Sequence, residues 1–216
     1  MSRLAVGHLR GRLLTLADNL GYRTSNLQLI DGSTRSEHSN AFCTGFGRFR
    51  RICLFDTLLH QLSPDEIVAV LGHEIGHDKL YHVHIGAVMA SAFLLVELRL
   101  LQQFIASPTL AAVFFLDSPS VYTGFVLFYA VWGLVEAILS VPVTWMSRQH
   151  EHAADRFAVA ASSDHASWLK TGLVKLMKHS KTNLTPHPFY VFLNFSHPPL
   201  HTRLQKIDAY QREIWG

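Results

Sequence analysis

His73 and His77 stand four residues apart, with Glu74 directly after the first (HEIGH, 73–77). On a helix that spacing stacks both imidazoles on one face, where they can bind one Zn²⁺. Glu74 is then placed to act as general base toward a zinc-activated water. With 14 histidines in 216 residues, random order would give this pattern in about 3% of such chains, so it needs a third protein ligand in support. Glu151 offers one, on a segment (147–161) that reads as helical, with His150 and His152 flanking it as rivals. Asp155, one turn further on, falls on the Glu151 face. It is suited to accept the outer N–H of a ligating histidine, a contact that fixes the tautomer and raises basicity. Gly76 inside the motif costs a helix about 1 kcal/mol relative to Ala, so it marks either a close approach of backbone or substrate or a tight packing contact. His82 and His84 read as flanking residues, and Cys43 and Cys53 as free thiols; none of the four is expected to bind the metal.

The elements that must position these groups follow from local signals. Ser63, Pro64 and Glu66 open a helix as N-cap, first-position proline and capping-box partner. The helix they start is apolar on most faces and therefore buried. No breaker interrupts it, so it is expected to run on past Leu80 and His82 into a second apolar stretch, 83–105, that holds Glu97 and Arg99 and ends at Ser107-Pro108. From 118 to 135 no charged residue occurs, and after Glu136 the apolar character continues to Met146. Each stretch is long enough to cross a ~30 Å hydrocarbon core. Basic residues lie at the outer ends (Arg48, Arg50, Arg51, Lys79, Arg148), while the loop between holds Asp117 and no Lys or Arg, so both outer ends are expected on the cytosolic side.

Elsewhere the first 20 residues read as an amphipathic helix rather than a signal peptide. Residues 27–30 read as a strand, and 40–46 with 52–55 as a β-hairpin with a basic tip. Two more helices are expected, from an Asp164 N-cap to 181 and over 199–213, joined by an irregular, proline-marked connection. A charged fraction of 16% against a usual ~25% and a hydrophobic fraction of 49%, with mean hydropathy +0.16, exclude disorder and favour membrane contact. A net charge of +3 without a basic run discounts nucleic acid. Two cysteines exclude a disulfide framework.

Four blocks carry a family resemblance: LGHEIGH (71–77), SRQHEHAAD (147–155), HSNAFCTGFGRFRRICLFDTLL (38–59) and SHPPLHTRL (196–204). They resemble the signature blocks of the type I CAAX prenyl protease, an integral-membrane zinc metalloprotease family, in that family's order; only its C-terminal catalytic part is matched. The resemblance implies His73, His77 and Glu151 as the zinc ligands, one Zn²⁺ per chain, Glu74 as the base and Asp155 as the supporting carboxylate. It implies His197 as a donor to the substrate carbonyl or oxyanion, and Asn40, Ala41 and Arg203 as substrate-binding residues, the first two on an edge strand. Cys43 and Thr44 stand where the family carries aromatics, and Asp78 where it carries a large apolar residue.

The fold expected is mainly α and integral membrane: a gluzincin-type zinc-protease core with a small β-hairpin or sheet and two transmembrane helices, 83–105 and 120–146, in one metalloprotease domain over 1–216. The family's N-terminal membrane region is expected to be absent. The function implied is removal of the C-terminal tripeptide from prenylated CaaX proteins at a multi-pass endoplasmic reticulum membrane, with the active site toward the cytosol. A related membrane quality-control zinc protease and a non-catalytic membrane remnant are the alternatives.

Overall fold

The computed structural model describes residues 2–3 (backbone only), 7–24, 26–32, 41–45, 49–105, 107–115, 117–118, 120–180 and 183–216. Four strands, β1 (Ser2–Arg3), β2 (Asn26–Ile30), β3 (Ala41–Thr44) and β4 (Arg51–Phe55), form one sheet in the order β1-β2-β4-β3. β3 and β4 pair antiparallel, Ala41 opposite Leu54 and Thr44 opposite Arg51, as the expected hairpin requires. β2 joins β4 in parallel, Leu27 opposite Ile52, a pairing that local sequence does not announce. Among the described residues β3 is the last strand of the sheet, next to β4.

Helix α1 (His8–Asn19) is the amphipathic first helix, burying Leu13 and Ala17. After the short α2 (Asp56–Gln61) comes α3 (Pro64–Lys79), the centre of the molecule. Its capping box is complete: the Ser63 hydroxyl accepts from the Glu66 N–H at 3.3 Å, and the Glu66 carboxylate accepts from the Ser63 N–H at 2.7 Å. Every residue from Glu66 to Gly76 except Glu74 is buried, which is why the helix is apolar all round. It packs against α1, β3, α6 (Val121–Ala160) and α7 (His165–His179), in a core that includes Tyr22, Ile52, Leu71, Ile75, Leu169 and Ile207.

The expected continuous run through Leu80 does not form. α3 ends at Lys79, Tyr81 takes a left-handed backbone with φ 58°, and α4 (His82–Ile105) starts anew. A short α5 (Pro108–Val113) follows the Ser107 cap. α6 then runs for 40 residues, so the second apolar stretch and the Glu151 segment are one helix. Pro142 lies inside it, a residue that apolar spans tolerate when neighbours satisfy the freed carbonyl. Both α4 and α6 are long and apolar enough to cross a membrane. They pack together as a hairpin around Leu101, Phe128 and Trp132, and at its tip Gly124 admits the Ile105 backbone, which a Cβ would meet at 2.7 Å.

α7 begins next to Asp164 as expected, although the Asp164 side chain makes no capping hydrogen bond. The connection expected to be irregular contains α8 (Pro188–Asn194), and α9 (Leu200–Trp215) closes the chain. Arg148 ties α8 down by donating to the carbonyls of Val191 at 3.2 Å and Phe195 at 2.6 Å.

Candidate metal centre

α3 and α6 bring His73, His77 and Glu151 together, and their ligand atoms all lie within 4.8 Å of one another. The two Nε2 atoms face each other at 3.1 Å. Glu151 completes the triangle, Oε2 at 3.6 Å from His73 Nε2 and Oε1 at 3.4 Å from His77 Nε2. Tetrahedral ligands at Zn–N/O distances near 2.05 Å sit about 3.3 Å apart, so this donor set and its spacing fit a zinc ion. His150 and His152 are not part of the triangle. The close approach of the helices is what makes it: a Cβ on Gly76 would meet Phe157 at 3.2 Å and the Ala154 Cα at 3.3 Å. Of the two readings of Gly76, tight helix packing is therefore the one observed.

Behind the triangle lies a buried charge network. Asp155, fully buried, approaches His73 Nδ1 with Oδ1 at 2.9 Å, a close polar contact in which the ring N–H is not squarely aimed at the oxygen. Arg203, from α9, donates to both Asp155 oxygens at 2.9 and 2.6 Å and lies 3.3 Å from Glu151. Burial disfavours the Arg203 charge, but Asp155 and Glu151 more than hold it. Its guanidinium is thus engaged by the site's own carboxylates, and the residue also lines the cavity described below. At His73, burial likewise opposes protonation, and the Asp155 contact outweighs it, raising the ring's pKa.

The triangle opens into a cavity of about 760 Å³ whose lining includes Glu74, Ala41, Phe42 and Cys43 of β3, Leu169 and Leu173 of α7, and His197. Burial pushes the Glu74 carboxyl up, against the smaller pull of His73 and His77. Its carboxyl is thereby poised to take up a proton. His197 stands at the rim, its side chain 70% exposed, with Nδ1 3.2 Å from Glu151 Oε1; that hydrogen bond holds its pKa up against burial. Ala41 lies on the edge strand facing the cavity, whereas Asn40 falls outside the described residues. Asp78, polar where the resemblance suggests an apolar residue, is met by Arg50 at 3.0 Å, whose guanidinium lies 4.9 Å from the Tyr22 ring centre.

One contact escaped the sequence reading. His82, read as a flanking residue, turns back onto His77, Nδ1 to Nδ1 at 3.1 Å. The only local signal was its place five residues after His77, a spacing that a continuous helix would have made meaningless.

Residues 5–211 match Peptidase family M48. The chain belongs to that family. Among its M48 relatives, CAAX prenyl protease 1 homolog of Arabidopsis thaliana is 36% identical over 94% of this chain and 48% of its own length. CAAX prenyl protease 1 of Saccharomyces cerevisiae is 31% identical over 94% of this chain and 48% of its own. The crystal structure of S. mikatae Ste24p superposes with a TM-score of 0.85 at 30% identity, covering 96% of this chain and 51% of that one. The chain therefore spans about half the length of the relatives it matches. Its mainly helical fold, with a small sheet and two membrane-length helices, is the fold of this M48 branch over the matched part. Membership of a metallopeptidase family accords with the donor triangle.

Proposed function

We propose that the chain is a single metalloprotease domain over 1–216 that holds one zinc through His73, His77 and Glu151 and removes the C-terminal tripeptide from prenylated CaaX proteins. The observation that carries this reading is the common wall of one cavity: the donor triangle, Glu74 and residues 41–43 of the terminal strand β3 all line it. Relatives named as CAAX prenyl proteases support the substrate class.

A peptide lying along β3 in the cavity has its scissile carbonyl carried past Glu74. His73, His77 and Glu151 would hold a zinc ion, whose chemistry would be Lewis acidity toward that carbonyl and the attacking water. Glu74 accepts the proton of the attacking water and delivers it to the leaving amine. His197, at the rim, donates to the oxyanion. Asp155 works from behind, holding Arg203 and approaching the outer nitrogen of His73.

α6 supports a location at the membrane surface. Glu151 is five residues, about 7.5 Å of helix rise, beyond Met146, where the apolar stretch ends. The cavity thus sits at the membrane surface, where a prenyl chain can stay in lipid while its peptide enters the cleft. The endoplasmic reticulum membrane, with the site toward the cytosol, agrees with the basic residues at the outer ends of the spans.

The test offers a farnesylated CaaX peptide and its unprenylated twin to the detergent-solubilised chain, with and without chelator. Preferential, chelator-sensitive cleavage of the farnesylated peptide is expected, lowered roughly 10²–10⁴-fold by Glu74→Gln. Equal cleavage of both peptides, or indifference to chelator, contradicts the proposal.

A further inference from the structure

The two histidines of the triangle are supported differently on their outer sides. His73 faces Asp155, a carboxylate held in turn by Arg203. His77 faces another imidazole: its Nδ1 lies 3.1 Å from Nδ1 of His82. His82 is 8% exposed, and its ring is stacked on His150 with centres 4.1 Å apart and planes 8° from parallel.

The protons on this pair follow from what His77 must do. To present the Nε2 lone pair toward His73 and Glu151, His77 carries its proton on Nδ1. That N–H points at His82 Nδ1, which must then offer a lone pair, so the His82 proton resides on Nε2. Fixing the direction of the His77 Nδ1–H fixes the plane of its ring, and with it the aim of the ligand nitrogen. The stack on His150 keeps the His82 ring from rotating away.

The backbone places His82 deliberately. Residues five apart on an uninterrupted helix point about 140° away from each other, with ~7.5 Å of rise between them, and cannot meet ring to ring. The break between α3 and α4 removes that obstacle. Tyr81 takes φ 58°, a left-handed conformation that is strained for a residue with a bulky side chain. Immediately after it, His82 folds back onto His77. An outlier of this kind beside a site is retained where the contact it permits is used.

We propose that His82 is the positioning residue for His77: it accepts the His77 Nδ1–H, sets the tautomer and ring plane of that ligand, and is itself held in plane by the stack on His150. This rests on the reading of His73, His77 and Glu151 as the zinc ligands.

The experiment measures zinc affinity by competition with a chromophoric chelator, and the visible absorption of the cobalt-substituted protein, on the full chain in detergent. It compares His82→Phe, His82→Asn, His82→Ala and Glu151→Ala, with thermal unfolding of the metal-free forms recorded for each. Phe keeps an aromatic ring on His150 but removes the acceptor; Asn places an amide oxygen near the position of Nδ1 and removes the ring. His82→Phe and His82→Ala are expected to weaken zinc binding roughly 10–100-fold and to shift the cobalt bands, while His82→Asn recovers most of the affinity. Wild-type affinity in His82→Phe, with His82→Asn no better than His82→Ala, overturns the positioning role and leaves His82 a packing residue. Zinc retained at wild-type affinity by Glu151→Ala overturns the ligand set itself, and the positioning role with it. Metal-free unfolding separates these outcomes from misfolding: a loss of affinity counts for the proposal only in variants whose metal-free transition matches wild type.

Discussion

Between Val121 and Met146, α6 turns large apolar side chains outward: Leu134 and Ile138 are each 72% exposed. Between Arg148 and Val159 the same helix buries Arg148, Glu151, His152 and Asp155 along with Ala154, Ala158 and Val159. One continuous backbone thus follows two opposite burial rules. In water, exposed aliphatic area costs about 25 cal/mol per Å², so the first half makes sense only where lipid replaces water. The second half is folded by its neighbours, and its charges survive burial because each has a partner: Asp155 with Arg203, Arg148 with the α8 carbonyls. The candidate metal centre lies just past the junction. The unbroken helix carries the register of the membrane half into the metal site.

Four substitutions on α6 break or sharpen this contrast. The largest effect is expected for Asp155→Ala, which strands the Arg203 charge in the core. It should cost about 3–5 kcal/mol in chemical unfolding of the detergent-solubilised, metal-free chain. A cost under about 1 kcal/mol means the buried network is not what holds the site half. Next is Leu134→Arg, whose penalty of about 2.5–3.5 kcal/mol should appear in a membrane-insertion assay, with little change in unfolding of the site half. Normal insertion would remove the lipid-facing assignment.

The remaining pair is the same change at two places. Ala154 is fully buried against α3, so Ala154→Leu overpacks the contact at Gly76 and should cost about 1–3 kcal/mol. Ala137, on the exposed surface of the apolar half, should accept Leu for less than about 0.5 kcal/mol. Equal costs at the two positions would erase the distinction between the halves. Both are read from chemical unfolding.

The site was legible in the sequence to the extent that its signals are local. The capping box at Ser63 and Glu66, the four-residue spacing of His73 and His77, and the run of apolar residues to Met146 each state their structure within a few residues. Glu151 and Asp155 were legible as one helix face, and the resemblance of four sequence blocks implied Glu151 as a zinc ligand and Asp155 as its supporting carboxylate. What was hidden depends on tertiary context. The break at Tyr81 has no Gly or Pro to mark it, and so the return of His82 to His77 could not be read. The parallel pairing of β2 with β4 joins segments with no shared turn. The ties of Arg203 to Asp155 and Glu151 were hidden because those carboxylates come from a helix some fifty residues earlier. α8 was hidden by the prolines around it, although Pro188 stands at its first position, where a helix accepts proline.

That His73, His77 and Glu151 jointly hold one zinc is tested most directly by counting metal. The 216-residue chain, purified in detergent without chelator, is compared by elemental analysis with His73→Ala, His77→Ala, Glu151→Ala and Glu74→Gln. One zinc per chain is expected for the wild type and for Glu74→Gln, and loss of stoichiometric zinc in each of the three ligand variants. Zinc retained in full by Glu151→Ala, or absent from a folded wild type reconstituted with zinc, would contradict it.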